Sequence, residues 1–237
     1  MILDHLLSHE KPATIASASG LSRRAMLQVG AAAGGGLLLG FMLPRFKAAE
    51  AAETAFTPNA FIRIDRQGHV TLTLPQVEMG QGVYTAQSVL LAEELEVELA
   101  KLQLEHAPAD DKLYGNPAIG FQVTGGSTSI RGFWEPMRQA GAAARSLLIA
   151  AAAAQWQVEA SSCQAKAGEV IHTASGRKLG YGALVDAAAK LTPPDKVTLK
   201  EPKDFPLIGT SPKRLDTPDK VNGKAKFRID ARLPNMK

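Results

Sequence analysis

Cysteine, metal-ligand patterns and aromatic residues are what this 237-residue sequence has least of. Its single cysteine, Cys163, excludes a disulfide framework, an iron–sulfur cluster held by this chain alone and a cysteine-rich zinc site. No two of His69, His106 and His172 have a ligand spacing such as i, i+4 on a helix, and no metal ligand is assigned. Since Cys163 has no identifiable partner that would activate it, we expect a small buried side chain there.

Positive charge is concentrated towards the end of the chain. Residues 190–237 hold twelve Lys/Arg and six Asp/Glu, which gives this segment a charge of +6 and leaves about −2 on the remainder. Only two aromatic residues, Phe205 and Phe227, lie in the basic segment, so it lacks the stacking side chains of single-strand-binding proteins. We therefore expect a solvated face or a subunit contact, and no nucleic-acid partner.

The first fifty residues have the pattern of an export signal. A twin-arginine pair, Arg23 and Arg24, precedes an apolar run over 29–43, which is shorter than the roughly twenty residues that span a bilayer. Small residues in 49–51 stand at the −3 and −1 positions for cleavage. The twin-arginine route exports folded proteins, which suits a cofactor inserted in the cytoplasm. We predict a signal peptide over 1–51 and a periplasmic location, with an uncleaved membrane anchor or a chance arginine pair left open.

The rest of the chain has a mixture of strand and helix patterns. Apolar and polar residues alternate over 61–65 and 69–74 on either side of a glycine turn, which predicts a β-hairpin. The same reasoning predicts, in order, a helix over 83–97, a strand over 102–106, a polar loop over 107–116, an alanine-rich helix over 137–158 with Pro136 in its first turn, strands over 162–167 and 169–173, and a helix over 181–191. The small side chains of the long helix allow close packing, so we expect it to be buried.

Regular structure becomes sparse after residue 195. Three prolines make 196–212 a predicted linker. The final segment, 213–237, has one strand-like run over 224–230 and no second run to pair with it. Because a lone strand buries very little surface, we expect the chain to stop part-way into a second domain.

Two glycine-rich loops are the most informative motifs. Residues 75–85 (PQVEMGQGVYT) form the first glycine loop, and residues 124–132 (TGGSTSIRG) form the second glycine loop. Each places glycines and small hydroxyl residues before a helical pattern, a layout that presents backbone N–H groups and a positive helix end to a phosphate. Either loop alone is also compatible with ordinary glycine turns and helix caps. The presence of both favours a phosphorylated cofactor.

These two loops, together with the closing stretch RLDTPDKVNGKAKFRID over 214–230, resemble the molybdopterin-binding large subunit of the isoquinoline 1-oxidoreductase type. That type belongs to the xanthine dehydrogenase/aldehyde oxidase superfamily, and the resemblance runs from about residue 57 to residue 237. It implies an α+β fold, in which a mixed-sheet molybdopterin-binding domain over 52–195 is followed by the linker and by the beginning of an α/β hammerhead-like domain.

The resemblance also implies the cofactor, a molybdenum–molybdopterin cytosine dinucleotide whose metal takes no protein ligand. It implies that Gly80 and Gly82 allow close backbone approach, that Gln81 offers an amide near the metal's oxo group, and that Arg131 either supplies charge or braces its loop. The full set of implied cofactor-binding residues is Gly80, Gln81, Gly82, Thr85, Gly126, Ser127, Thr128, Ser129 and Arg131.

The activity implied by the resemblance is oxidative hydroxylation of an N-heterocycle or an aldehyde. Electrons would pass to 2Fe-2S clusters on a separate small subunit, with a cytochrome c as a candidate acceptor. The family's catalytic glutamate lies near the C-terminus of longer chains, and Glu78, Glu93 and Glu94 do not match its pattern, so no catalytic residue is assigned. We expect this chain to be the N-terminal part of a large subunit, and we expect that it needs the remaining C-terminal part for activity.

Two other interpretations remain open at this point. The chain is also compatible with an exported binding or assembly module that holds a cofactor without catalysis. It is likewise compatible with a structural periplasmic domain whose glycines form ordinary turns.

Overall fold

The computed structural model describes residues 56–233 and Met236. Its strands are β1 Phe56–Asn59, β2 Ile62–Ile64, β3 Val70–Leu74, β4 Leu102–His106, β5 Cys163–Lys166, β6 Glu169–His172 and β7 Lys178–Gly180. Its α-helices are α1 Val83–Leu95, α2 Asp111–Tyr114, α3 Trp134–Trp156, α4 Tyr181–Ala188 and α5 Thr217–Val221. Short 3-10 turns cover Leu99–Lys101, Ala160–Ser162, Pro202–Asp204 and Arg228–Asp230.

The larger sheet is mixed, in the order β1-β2-β3-β4. The predicted hairpin is confirmed, since β2 pairs antiparallel with β3 and Ile62 lies opposite Leu72. β4 instead pairs parallel with β3, and α1 forms the crossover between them. Because the carboxyl ends of parallel strands meet at one edge of a sheet, the chain leaves β3 and β4 on the same side of the molecule. The first glycine loop follows β3 at this edge.

The alanine-rich helix α3 lies against α1 and is buried as expected. Gly141 is the point of closest approach, because a Cβ there would lie 2.8 Å from the Leu91 carbonyl oxygen and 3.0 Å from Glu94 Cβ. Only a residue without a side chain lets the two helices come this close. Ala144, Leu148 and Met137 of α3 are fully buried in the same core. No helix within the described part of the chain has the length and hydropathy of a membrane span.

A second, antiparallel sheet, in the order β5-β6-β7, packs beside α3 together with α4. The Tyr181 hydroxyl donates to the Leu95 carbonyl at 2.6 Å and joins this unit to α1. Burial raises the pKa of Tyr181, so its hydroxyl stays protonated and keeps donating. Cys163 is buried in the core, as the sequence predicts.

The segment 196–212 lies along α1 and α3 and is fixed there by buried ions. Glu94 is fully buried and accepts from Arg138 Nη2 at 2.7 Å and from the Lys200 backbone N–H at 3.1 Å. Glu93 is also buried and accepts from Lys200 Nζ at 3.0 Å and from the Leu207 N–H at 2.8 Å. Both carboxylates therefore have structural partners, and the placement of 196–212 as a domain linker stays a prediction.

Three expectations about secondary structure are corrected. The polar loop over 107–116 contains α2, because Asp110 caps it by accepting from the Lys112 and Leu113 N–H groups. The C-terminal helix of the second unit ends at Ala188 rather than at 191. The strand expected over 224–230 is wrong: the chain there is irregular and ends in a 3-10 turn. With no neighbouring strand among the described residues, Phe227 and Ile229 stay exposed.

Candidate functional site

The first glycine loop begins where β3 ends and leads directly into α1. Gly82 stands at the N-cap of α1 with φ 87°, and Gly80 has φ 102°. Both values lie in the left-handed region that side chains disfavour, so the two glycines allow this sharp entry into the helix. They are exposed or partly exposed, as close approach of a ligand to the backbone would require.

A carboxylate of the chain itself already occupies the N-terminus of α1. Glu78 Oε1 accepts from the Gly80 N–H at 2.7 Å and from the Gly82 N–H at 3.0 Å. Glu78 Oε2 accepts from the Tyr84 N–H at 3.2 Å. Burial raises the pKa of the Glu78 carboxyl, but these N–H groups and the charge of Arg214 outweigh it and hold the pKa below its usual value.

The side chain of Gln81 is also engaged within the first glycine loop. Its Oε1 accepts from the Met79 N–H, and its Nε2 donates to the Val77 carbonyl at 2.9 Å. The amide therefore braces the turn in this structure. Its predicted position near a metal oxo group stays a prediction.

The second glycine loop has a buried support and an exposed crest. Thr128 is 5% exposed, and its hydroxyl donates to the Gly125 carbonyl at 2.7 Å while accepting from Asn116 Nδ2 at 2.6 Å. Gly126 and Ser127 form the crest, both exposed and both left-handed, with φ 60° and 54°. Their N–H groups are not donated to any oxygen of residues 56–233. This loop therefore keeps its two crest donors open, whereas the Gly80, Gly82 and Tyr84 N–H groups of the first loop are donated to Glu78.

Direct hydrogen bonds join the two loops. Thr124 Oγ1 accepts from the Val77 N–H at 2.8 Å. Ser129 links both sides, since its hydroxyl donates to Gln76 Oε1 at 2.9 Å and its carbonyl accepts from Gln87 Nε2 at 3.2 Å. The structure thus brings together, at the carboxyl edge of β3 and β4, the loops that the sequence places about forty residues apart.

One buried polar atom at this junction has no partner. Gln87 is fully buried, and among the described residues its Oε1 accepts no hydrogen bond. An unsatisfied buried acceptor is costly. A ligand donor or an ordered water would satisfy it.

The remaining predicted residues lie at the margins of the two loops. Thr85 is buried in the first turn of α1, and its hydroxyl accepts from the Leu215 N–H at 3.0 Å. Arg131 is exposed beside a cavity of about 390 Å³ that Trp134 also lines, and its guanidinium makes no hydrogen bond to residues 56–233. These positions leave Arg131 free to supply charge, and leave Thr85 in a structural contact.

Sequence reasoning missed the residues that support the loops. The capping role of Glu78 does have a signal in the sequence, because an acidic residue just before a helix is favoured at the helix N-terminus. Asn116 and Gln87 lie outside the motifs, and Gln76 and Arg214 lie within them without an assigned role. A separate cavity of about 580 Å³ lies away from the loops, between the β2–β3 turn and α4. Within residues 56–233 no cluster of His, Cys, Asp and Glu could hold a metal ion.

Comparison with known proteins identifies the family to which this chain belongs. The family model described as a molybdopterin cofactor-binding domain matches residues 21–226. The beta chain of isoquinoline 1-oxidoreductase from Brevundimonas diminuta is 34% identical over 216 residues, which is 77% of this chain and 28% of that protein.

Two further relatives carry different names. A membrane-bound aldehyde dehydrogenase of Gluconacetobacter polyoxogenes, named for pyrroloquinoline quinone, is 31% identical over 91% of this chain and 28% of its own length. One of the subunits of nicotinate dehydrogenase from Pseudomonas putida is 28% identical over 74% of this chain and 14% of its own length. The chain thus spans at most little more than a quarter of the length of the curated relatives it matches.

The family match covers most of the chain, including both glycine loops and most of the closing stretch. The resemblance predicted from those motifs is therefore confirmed, and the mixed sheet with its helices agrees with the expected α+β class. The chain belongs to the family of molybdopterin cofactor-binding domains.

Proposed function

We propose that this chain is the cofactor-holding part of the large subunit of a periplasmic molybdenum hydroxylase, and that it binds molybdopterin cytosine dinucleotide. The observation that carries the proposal is the convergence of the two glycine loops, with the N–H groups of Gly126 and Ser127 open at their shared edge. The implied binding set keeps Gly80, Gln81 and Gly82 on one side of the site. Its other members are Thr85, Gly126, Ser127, Thr128, Ser129 and Arg131.

The donor chemistry of the site fits a pyranopterin dinucleotide. Open N–H groups, the Ser127 hydroxyl and the exposed Arg131 suit the oxygens of a pyrophosphate. The buried Gln87 Oε1 suits an N–H donor, of which a pterin has several. When bound, the cofactor supplies the redox chemistry. The chain's own residues bind it, orient it and support the loops that hold it.

The proposal places the catalytic base outside the described residues. Glu78 caps α1 and contacts Arg214, while Glu93 and Glu94 are consumed by the ion pairs that fix 196–212. None of these three carboxylates is free to take a proton from a reacting group. A longer large subunit that supplies the base is consistent with relatives more than three times the length of the matched part.

The proposed substrate and partners rest on the names of the relatives, and the proposed location rests on the predicted signal peptide. Isoquinoline, nicotinate and aldehyde occur in those names, which supports a small N-heterocycle or aldehyde as substrate. Two of the relatives are named as subunits, which supports a partner; we propose a small 2Fe-2S subunit, with a cytochrome c as a further acceptor. The twin-arginine pair lies outside the described residues and supports periplasmic export.

The test is to produce the chain with its leader in a host that makes the cytosine dinucleotide cofactor. Molybdenum by elemental analysis and CMP released by mild acid should be found in equal amounts on the purified chain. Gly126→Val should abolish most of both signals, because a β-branched residue is strained at φ 60° and covers the open donors. Gly176→Val is the matched control, since Gly176 has φ 69° in a turn of the second sheet.

Other outcomes separate the alternatives. A chain that carries pyrroloquinoline quinone and no molybdenum would overturn the proposed cofactor. CMP and molybdenum without dye-linked turnover, even after the C-terminal part and the small subunit are supplied, would favour a non-catalytic binding or assembly module. If Gly126→Val retains all of its cofactor, the glycines of the two loops would be ordinary turn residues.

A further inference from the structure

The closing stretch contacts the first glycine loop, although sequence reasoning assigns it to a following domain. The Leu215 N–H donates to Thr85 Oγ1 at 3.0 Å. Arg214 Nη1 donates to the Gly80 carbonyl at 2.9 Å, and Arg214 Nη2 donates to Glu78 Oε1 at 3.1 Å. These contacts bridge about 130 residues of sequence and fix the loop at three points.

Arg214 is itself held in a defined orientation. Its Nε and Nη2 donate to the two carboxylate oxygens of Asp216, at 2.9 and 2.8 Å, as a bidentate pair. Lys220 Nζ also donates to Asp216 and fixes that carboxylate in turn. The planar guanidinium can therefore meet the loop in only one way, which a lysine could not reproduce.

The contact with Glu78 reaches the backbone of the first glycine loop. Glu78 Oε1 is the oxygen that accepts from both the Gly80 and the Gly82 N–H groups. Arg214 adds an ionic contact to this same oxygen and also donates to the Gly80 carbonyl, so it holds both the carboxylate and the peptide that the carboxylate contacts. The orientation of the Gly80 and Gly82 peptides thus depends on a residue far along the chain.

We propose that Arg214 is a positioning residue for the first glycine loop, so that the closing stretch is part of the cofactor site. The inference rests on the proposed function for its ligand, the molybdopterin dinucleotide. Because the coupling of two binding events is reciprocal, docking of the closing stretch strengthens cofactor binding, and cofactor binding strengthens the docking. The cofactor site would then include residues on both sides of the predicted boundary between the molybdopterin-binding domain and the domain that follows it.

The first arm of the test uses the cofactor-free full chain. Amide exchange at Gly80, Gly82 and Tyr84, followed by NMR, should become about fivefold faster in Arg214→Gln, as expected for loss of an ion pair near the surface. Arg214→Lys keeps the charge without the planar fork and should lie between that variant and wild type. Arg66→Gln, which breaks an exposed pair with Asp186, is the control and should leave the loop unchanged.

The second arm follows the cofactor-loaded chain. Arg214→Gln should lose bound CMP about fivefold faster than wild type during dialysis, with Arg214→Lys again between them and Arg66→Gln equal to wild type. Wild-type exchange rates in Arg214→Gln would overturn the inference. So would faster loop exchange with unchanged CMP retention. A wild-type chain that holds neither molybdenum nor CMP refutes the proposed function and the cofactor role of Arg214, while the first arm still decides whether Arg214 holds the loop.

Discussion

The two glycine loops share a sequence pattern and differ in what their backbones can bind. In the first glycine loop, the N–H groups of Gly80, Gly82 and Tyr84 are donated to Glu78, and Arg214 of the closing stretch contacts that carboxylate. In the second glycine loop, Asn116 and Thr128 support the chain from below and leave the N–H groups of Gly126 and Ser127 open. The same pattern of glycines before a helix therefore leaves N–H donors open in one loop and satisfies them within the chain in the other.

This difference assigns distinct tasks to the two loops. The shape of the first loop is fixed by hydrogen bonds and ion pairs within the chain. The second keeps the donors that the proposed function assigns to a phosphate. Substitutions in the support of the second loop, in the Glu78 cap of the first loop and in the crest of the second loop should therefore have effects of different size and kind.

The largest effect is expected at the support of the second glycine loop. A Cβ on Gly132 would lie 2.7 Å from Asn116 Oδ1 and 3.0 Å from the Thr128 carbonyl oxygen, so Gly132→Val must displace the loop. We expect the free energy of unfolding to fall by about 3 kcal/mol, measured by urea denaturation. Gly125→Ala is the control, because nothing lies within 4 Å of a Cβ there. Equal losses in both variants would show that the support is not tight.

A smaller loss is expected when the buried amide under the same loop is removed. Asn116 is fully buried and donates to Thr128 Oγ1 and to the Val123 carbonyl. Asn116→Leu leaves both acceptors short of a donor, which should cost about 2 kcal/mol of unfolding free energy. Asn222→Leu, at an exposed position of the closing stretch where the side chain accepts only from the solvent-accessible Lys224 N–H, should cost less. An unchanged unfolding midpoint in Asn116→Leu would contradict the proposed support.

The capping role of Glu78 in the first glycine loop should be visible in the pH dependence of the unfolding free energy. The folded-state pKa of Glu78 lies below its ordinary 4.5, so its carboxylate stabilises the fold above that value and loses this effect as pH falls through the folded pKa. Glu78→Gln should cost about 1 kcal/mol at pH 7. It should also flatten the fall in unfolding free energy between about pH 5 and about pH 3. Parallel pH curves for wild type and variant would show that Glu78 does not cap α1.

The smallest effect is expected at the crest of the second glycine loop. Ser127 has φ 54°, a conformation that glycine adopts without strain. Ser127→Gly should therefore raise the unfolding free energy by about 0.5 kcal/mol, seen as a higher melting temperature. Ser161→Gly, at an exposed position without positive φ, should lower it. A destabilised Ser127→Gly would mean that the hydroxyl contributes to stability.

Local periodicity was sufficient for much of the fold. The β2–β3 hairpin, α1, β4 and α3 follow the expected alternation or helical spacing, because each packs apolar residues on a neighbouring element. The strand expected over 224–230 failed for the opposite reason. Its alternation is real, but no described strand lies beside it to pair with.

The site was predictable only in part, again for a physical reason. Glycines and hydroxyl residues before a helix mark both loops in the sequence. What separates the loops is set by contacts between distant residues, such as Arg214 with Glu78 and Ser129 with Gln76. An acidic residue before a helix indicates a cap at residue 78, but only the folded chain shows which N–H groups and which arginine Glu78 contacts.

The central claim is that one loop is filled by the protein and the other by the cofactor. Amide hydrogen exchange on the wild-type chain, with and without bound cofactor, tests it most directly. We predict that the Gly126 and Ser127 amides are protected only in the loaded chain, while the Gly82 and Tyr84 amides are protected in both. Protection of Gly82 and Tyr84 that appears only with cofactor, or Gly126 and Ser127 amides that do not respond to it, would contradict the account.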